Sequence, residues 1–292
     1  MTEKVYFTVK ETDVKDFKTY LYERENAETT ISKYSTDLRC FLKFLGNSRE
    51  VDKARLLAYK EWLIERYAVS RVNSMLAALN QFLEFCGYAQ LKVKRVKTQK
   101  NLFLREEKEL TRKEYQRLVR TAKAEGKVQL ALCMEVIAVT GVRVSELKYF
   151  TVGQVKKGRI EVHNKGKYRR IFLTSDIRKK LLCFAMFRKI TRGYIFATKS
   201  GKAKDRSNIW SEMKALKEKA NVCGEKIFPH NLRHLFACTY YDREKDLFRL
   251  ADLLGHSSVN TTRLYTRVSG EEQERRLDDL GLVLEEGQKK TA

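Results

Sequence analysis

The 292-residue sequence has little that interrupts regular structure, since it contains one proline, Pro229, and 14 glycines. Proline and glycine are the residues that most often break helices, so their scarcity favours long helical segments. No apolar run approaches the roughly 18 residues of a membrane span, and the charged start MTEKVYFTVKETDVKDF lacks the apolar core of a secretory signal. These absences argue against a secreted or membrane-spanning protein, and we expect a soluble, cytoplasmic one.

Paired cysteines are also absent. The six cysteines form no C-x2-C pair and no cysteine-histidine cluster at zinc spacing, and most lie in apolar helical patterns. We therefore expect reduced core cysteines and no bound metal ion. They are Cys40, Cys86, Cys133, Cys183, Cys223 and Cys238.

Acidic residues are scarce in one block of the chain. Residues 91–270 hold 42 basic and 17 acidic side chains, whereas residues 1–90 hold 14 and 13. The net charge of +23 therefore arises from this block, because the tail, 271–292, is net acidic with 4 basic and 7 acidic residues. A field of this size implies a polyanionic partner, and nucleic acid is favoured over membrane because the chain has no anchor or basic amphipathic terminal helix.

The first 90 residues have the pattern of a small all-α domain. Between Thr12 and Tyr88, four segments repeat apolar residues at spacings of three and four, which predicts four amphipathic helices. Residues 91–109 then lose this periodicity, so we interpret them as a basic interdomain linker that lies along a phosphate backbone and orders on binding. The basic residues that would contact DNA there are Lys92, Lys94, Arg95 and Lys97, with Lys100 close behind.

Residues 110–270 predict a second domain that is mostly helical. It opens on the Thr-x-x-Glu capping box of Thr111 and Glu114, and the apolar segment KVQLALCMEVIAVT ends at Gly141. Two β-like runs, RIEVHN and YRRIFL, flank a turn at Gly166. The fold class is therefore mainly α, with an all-α N-terminal domain and a mixed, mostly α C-terminal domain that contains a small antiparallel sheet.

Chemistry is concentrated near the C-terminus. The chain has four histidines, and two of them share the frame H-x2-R-x22-H-x8-Y, formed by His230, Arg233, His256 and Tyr265. An arginine, two imidazoles and a phenol are what a protein needs to break a phosphodiester without metal, using tyrosine as the nucleophile.

The segments TGVRVSEL, NKGKYRR, HNLRH and LLGHSSVNTT, together with Tyr265, resemble the signature boxes of the tyrosine recombinase (phage integrase) family. The matches run in order from about residue 108 to 268, and residues 1–90 resemble the family's SAM-like core-binding domain in size and place. The resemblance implies a compact, Xer-like or small mobile-element recombinase. Such an enzyme cleaves and rejoins duplex DNA through a 3′-phosphotyrosyl intermediate for integration, excision or resolution, without cofactor or metal.

The resemblance also implies roles for single residues. Tyr265 attacks the phosphorus, Arg143 and Arg233 clamp the phosphate oxygens, His230 assists the proton of the tyrosine, and His256 hydrogen-bonds the phosphate. A lysine of the β-turn protonates the departing 5′ oxygen. Family matching favours Lys165 for this role and leaves Lys167 as the alternative, with the other lysine contacting a phosphate.

Two further residues, close in sequence to this set, each have two possible roles. Glu146 either orients the cations of the site or forms an ordinary ion pair on a helix surface. His234, one residue past Arg233, is either a packing histidine or a catalytic one. The residues around them do not decide between these roles.

The acidic tail, residues 271–292, carries an amphipathic apolar set and suggests docking on protein rather than on DNA. It either packs on a neighbouring protomer, as the resemblance implies for a tetramer on paired DNA sites, or folds back on its own domain. Accessory DNA-bending or directionality proteins are further expected partners. The alternative functions are a type IB topoisomerase-like relaxing enzyme and a non-enzymatic DNA-binding regulator.

Overall fold

The computed structural model shows two compact units, residues 1–100 and 101–292. Within the described part of the chain, no helix is both long and apolar enough to cross a membrane. The structure describes residues 6–97, 109–164, 167–256, 258–266, 275 and 278–279.

The N-terminal unit is built on four helices whose apolar residues, spaced by three and four, face a common core. Phe17 and Leu21 of the first helix are both buried there, and Asp52 begins the third helix by accepting a hydrogen bond from the backbone N–H of Arg55 at 2.7 Å. The four predicted helices are thus confirmed. They are α1 (Glu11–Glu23), α2 (Glu28–Leu45), α3 (Lys53–Arg66) and α4 (Val69–Phe85).

A short strand pair, which helical periodicity does not predict, accompanies these helices. Strand β1 (Phe7–Thr8) pairs antiparallel with β2 (Glu50–Val51). Two residues are too few to show the alternating pattern by which a strand is recognised. The pair is fixed by packing, because the ring of Phe7 stacks on that of Tyr88 with centroids 4.0 Å apart.

Residues 91–97, the first part of the predicted linker, lie along the N-terminal unit. The side-chain amide of Asn80 bonds both the N–H and the C=O of Val93, at 2.8 and 2.9 Å, and Asn73 does the same for Val96 at 2.8 and 3.0 Å. Val93 is buried in the core. The basic side chains of this segment are exposed, and they are Lys92, Lys94, Arg95 and Lys97. Its role on DNA and its boundary at 109 stay predictions.

The C-terminal unit surrounds one apolar helix. In α6 (Val128–Thr140) every residue from Leu130 to Ile137 is buried, which marks a helix covered on all sides. The predicted capping box begins the helix before it, since Glu114 accepts from the N–H of Thr111 at 2.8 Å. The helices of this unit are α5 (Arg112–Ala124), α6, α7 (Val152–Lys156), α8 (Ser175–Phe187), α9 (Arg206–Lys214), α10 (Pro229–Glu244), α11 (Leu247–Leu254) and α12 (Val259–Thr262).

The predicted small sheet is a two-stranded antiparallel hairpin, β3 (Arg159–Asn164) and β4 (Lys167–Phe172). Its register runs from the pair Arg159 and Phe172 to the pair Asn164 and Lys167. Ile160 and Ile171 face each other across it and are buried in the core. One face of the hairpin therefore packs on the helices. Strand β4 also carries the basic residues Arg169 and Arg170.

The cysteines depart from the expectation of core positions. Cys133 is buried, but Cys183 and Cys223 are exposed. Cys183 lies on the outward side of α8, whose neighbouring Leu181 and Phe184 face the core. Helical periodicity identifies the apolar stripe of a helix. It does not show whether a small residue at the border of that stripe is buried or exposed.

Candidate active site

A helix end at Gly141 places the first arginine of the site. Gly141 has φ +63° and terminates α6, and a Cβ at this position would lie 2.4 Å from the ring of Phe236. Only glycine fits such a left-handed and crowded position. The chain then turns, so that Arg143 comes immediately before a 3₁₀ helix, Val144–Tyr149.

A second helix end, at Gly255, places a histidine. Gly255 has φ +62° and ends α11, and a Cβ here would lie 2.8 Å from Cδ of Arg169. Because glycine occupies this position, the side chain of Arg169 passes against the backbone and donates to the C=O of Leu253 at 2.6 Å. His256 follows directly, so the break also directs its imidazole toward the arginines.

Glu146 holds two of the arginines together. Its carboxylate accepts from the backbone N–H of Arg143 at 2.8 Å, from Nη1 of Arg143 at 3.1 Å, and from Nη2 of Arg169. The residue is only 2% exposed. A carboxylate this buried needs such partners, so Glu146 is not an ordinary surface ion pair. It orients the cations of the site.

Arg233 is the most buried cation of the cluster, at 2% exposure. It donates to the C=O of Gly141 at 2.6 Å and to the C=O of Leu254 at 2.7 Å, which ties it to both helix ends. Burial, together with the positive charges of Arg143 and Arg169, lowers its pKa to about 10. The guanidinium remains charged at neutral pH, and three cations thus converge where an anion can compensate them.

The hydrogen bonds of His256 fix its tautomer. Its Nε2 lies 2.9 Å from Nη2 of Arg233, and its Nδ1 lies 2.9 Å from Oγ1 of Thr262. A guanidinium has no acceptor, so Nε2 accepts and the proton of the neutral ring is on Nδ1, which donates to Thr262. Burial and the nearby arginines lower the pKa of His256 to about 4. Without DNA the ring is therefore neutral.

Tyr265 lies in the 3₁₀ helix Arg263–Thr266, which follows α12, and it is buried at 6% exposure. Its ring meets that of His234 edge-on at 5.0 Å and is nearly parallel to that of His256 at 6.2 Å. Burial raises the pKa of the phenol, and the opposing effect of Arg233 does not fully offset this. The phenol is therefore protonated in this state.

His230 lies in the first turn of α10, after Pro229 and three residues before Arg233. It is exposed at the rim of the site, yet the protein around its ring lowers its pKa by desolvation, and the charges of Arg233 and Arg143 lower it further. A neutral imidazole at the rim can accept a proton, which suits a general base.

Two sequence profiles of known families match the chain. The profile described as the phage integrase family matches residues 108–272. The chain belongs to the phage integrase family. A second profile, described as the N-terminal SAM-like domain of phage integrase, matches residues 14–88. The resemblance carried by the signature boxes is thereby confirmed over both units.

Curated members of the family are similar over nearly the full length. Tyrosine recombinase XerC of Herpetosiphon aurantiacus is 30% identical over 284 residues, covering 88% of this chain and 91% of that protein. Tyrosine recombinase XerA of Pyrococcus furiosus is 28% identical over 268 residues, covering 90% of this chain and 91% of that protein.

Solved structures share the fold of this phage integrase family member. The XerH recombinase in its post-cleavage complex with difH substrate has a TM-score of 0.72 at 19% identity, covering 88% of this chain and 82% of that one. A lambda integrase tetramer bound to a Holliday junction has a TM-score of 0.70 at 17% identity, covering 90% and 78%. These likenesses confirm the mainly helical fold with its small sheets.

The structure brings together most of the residues that the sequence of this family member suggested. Lys165 is outside the described residues. Lys167 is placed only by its backbone, which pairs with Asn164 at the end of the hairpin. The choice between the two lysines therefore stays a prediction. The residues connected by hydrogen bonds or charge interactions are Arg143, His230, Arg233, His256 and Tyr265.

Sequence reasoning missed Arg169 in this integrase-family site. It shares Glu146 with Arg143, as described above. A signal was available, because residues two apart on a strand face the same side, and Ile171 is a core residue two positions after Arg169. An arginine on the inward side of a strand is costly unless it is paired, and this marks it as part of a buried network.

Folding stability of this family member is expected to fall as the pH is lowered from about 6.5 toward 4. The unfolded chain protonates His256 near pH 6.5, whereas the folded pKa is about 4, so the unfolded state binds more protons in this window. Urea unfolding at pH 7, 6 and 5 measures the decline. His256→Gln should flatten it, while His163→Gln, at an exposed position of β3, should not. Equal slopes for wild type and His256→Gln would contradict this prediction.

Proposed function

We propose that this protein is a site-specific tyrosine recombinase, in which Tyr265 cleaves duplex DNA and holds the cut end as a 3′-phosphotyrosyl ester. The observation that carries the proposal is a cluster of three arginines beside Tyr265, in which Arg143 and Arg169 share the carboxylate of Glu146 and the buried Arg233 contacts His256. Without an anionic partner such a cluster is electrostatically unfavourable, and a scissile phosphate supplies the compensating charge.

The first step is binding of the phosphate. Arg233 has five N–H donors, and three of them serve the two carbonyls and His256, which leaves others for the phenol and a non-bridging oxygen. Arg143 is about 38% exposed in its side chain, so it can turn a face to the DNA while Glu146 holds its other side. These donors stabilise the charge that develops on the pentacovalent phosphorus.

The second step is the attack. The Tyr265 oxygen forms a bond to phosphorus as the bond from phosphorus to the 5′ oxygen breaks, and the phenol proton passes to His230 or through it to solvent. The phosphate charge raises the pKa of His256, since it opposes the arginines that lower it. Once protonated, the His256 ring can donate to the phosphate from Nε2, the atom that accepts from Arg233 at rest.

The third step restores the DNA. Lys165, with Lys167 as the alternative, donates a proton to the departing 5′ oxygen, because an alkoxide is a poor leaving group. A 5′ hydroxyl of the exchanged strand then attacks the phosphotyrosyl ester and releases Tyr265. One ester replaces another in each step, so the reaction needs neither a nucleotide nor a metal ion for energy or bond balance.

Strand exchange requires two DNA sites held together, and we propose that the protein acts as a tetramer on such a pair. Support comes from the lambda integrase neighbour, described as a tetramer bound to a Holliday junction. The exposed basic side chains of residues 92–97 would contact the phosphate backbone of each site.

Covalent trapping tests the proposed function. A pool of nicked duplexes should give protein–DNA adducts in the presence of EDTA. Because of the nick, the fragment that carries the released 5′ hydroxyl is short, so it diffuses away after cleavage and cannot religate. Protease digestion and mass spectrometry should place the DNA on the peptide that contains Tyr265, through a 3′ phosphate. The absence of any adduct, or a 5′ linkage, would reject the proposal, and sequencing the trapped DNA identifies the target site.

Deletion of residues 271–292 is expected to abolish cooperative assembly on paired sites while leaving single-site binding within about twofold. The tail is acidic and amphipathic, so it suits docking on a neighbouring protomer and adds little to DNA affinity. Gel-shift titration on one-site and two-site duplexes measures both quantities. Unchanged cooperativity after the deletion would show that the tail does not link protomers.

A further inference from the structure

Three side chains of types that can bind a metal ion lie close together beside Tyr265, outside the arginine cluster. His234 and Cys238 are one turn apart on α10, and Sγ of Cys238 lies 3.4 Å from Nδ1 of His234. On the other side of the ring, Oε1 of Glu109 lies 3.6 Å from Nε2 of His234. One ligand atom from each of the three residues can be chosen so that all lie within 4.8 Å of one another.

The spacing of Cys238 and His234 suits a tetrahedral zinc ion. Zinc binds thiolate, imidazole and carboxylate with bonds of about 2.0 to 2.3 Å, which places neighbouring ligand atoms about 3.3 to 3.8 Å apart. The separation of Cys238 and His234, at 3.4 Å, is already in this range. Glu109 contacts the other ring nitrogen, Nε2, so side chains of the cluster must turn for three ligand atoms to meet at one ion. We propose that Glu109, His234 and Cys238 bind one zinc ion, with water as the fourth ligand.

The charge around the thiol favours a cation. The carboxylates of Glu109 and Asp242 place negative charge near the thiol of Cys238. Those charges, which disfavour a bare thiolate, attract a divalent ion. Zinc displaces the thiol proton to solvent and takes its place, so that the ion, the thiolate and the carboxylate together are neutral.

Sequence spacing could not reveal this site. His234 and Cys238 give only the spacing H-x3-C, and Glu109 stands more than a hundred residues earlier, before α5. Folding brings the segment before α5 onto α10, next to the nucleophile proposed above. Because the ring of His234 packs on Tyr265 with centroids 5.0 Å apart, a bound ion would fix one wall of the tyrosine's pocket.

Zinc titration of the full chain against a chromogenic chelator tests the site. Wild type should take up one tightly held equivalent. Cys238→Ser and His234→Gln should each weaken binding by at least about 100-fold, since losing even a supporting residue of a metal site costs about 10 to 100-fold. Cys223→Ser, which removes an exposed thiol elsewhere, should bind as wild type does.

Cobalt gives a second readout, because a thiolate ligand produces a charge-transfer band in the near ultraviolet that Cys238→Ser should lose. The proposal is overturned if wild type holds no equivalent, if Cys238→Ser keeps the wild-type affinity, or if Cys223→Ser loses it. Should Cys238→Ser fail to fold, Glu109→Gln decides, and unchanged affinity there rejects the site. Metal uptake is measured without DNA, so its outcome is independent of the covalent trapping result.

Discussion

Tyr265→Phe is expected to abolish the covalent protein–DNA adduct while leaving DNA affinity within about twofold. The substitution removes the oxygen that bonds to phosphorus, so no partial activity is expected from that position. The ring itself stays, and its contacts with His234 and His256 and its place in the cluster with Leu250 and Leu254 depend on the ring. Denaturing electrophoresis after incubation with a nicked duplex carrying the trapped target site measures the adduct, and gel shift measures affinity.

Tyr240→Phe is the matched control, because it is the same chemical change next to the same apolar cluster, on α10. It should form the adduct at the wild-type rate. An adduct with Tyr265→Phe, at any rate above background, would show that another nucleophile cleaves the DNA. Loss of the adduct in both variants would instead point to a disturbed cluster rather than a missing nucleophile.

The helices could be predicted because each carries a local signal. In α2 the buried residues Ile31, Leu38, Phe41 and Leu45 recur at helical spacing, and the capping box at Thr111 involves residues three apart. Such signals depend on the chain within one or two turns. They predict that a helix forms and which stripe of its apolar residues is buried.

The sequence suggests a set of candidate site residues but not their arrangement. The spacing of His230, Arg233, His256 and Tyr265 suggested the chemistry, whereas no local pattern shows that Glu146 bridges two arginines or that Nδ1 of His256 bonds a threonine. These contacts join residues more than twenty positions apart or depend on which face a side chain takes. They are decided by tertiary packing, which periodicity does not encode.

The two helix ends explain how Arg233 can be so deeply buried. Arg233 reaches the C=O groups at the ends of α6 and α11, where helix carbonyls lack partners within their own helix. These carbonyls carry the partial negative charge of a helix C-terminus, and they stabilise a guanidinium that burial and two neighbouring arginines disfavour. The same arrangement holds it beside the phenol of Tyr265 before any DNA is bound.

Arg233→Lys is expected to lower the cleavage rate by roughly 100 to 1,000-fold, which corresponds to about 3 to 4 kcal/mol of lost transition-state stabilisation. A lysine keeps the charge but has no planar fork, so it cannot reach both helix-end carbonyls, His256 and the phosphate together. Single-turnover adduct formation measures the rate. Arg243→Lys, whose side chain is 86% exposed on the same helix, should cleave as wild type does.

A structural loss at Arg233 must be separated from an electrostatic one, because the side chain also holds two backbone segments. A duplex with a neutral methylphosphonate at the cleavage site provides the test, since it removes the charge that the guanidinium compensates. If Arg233 stabilises charge on the phosphate, the variant should approach the wild-type rate on this substrate, and its defect should be confined to the charged one. An equal defect on both substrates would mean that Arg233 acts by holding the helix ends together. Arg143 and Arg169 would then be the residues that stabilise the charge of the phosphate.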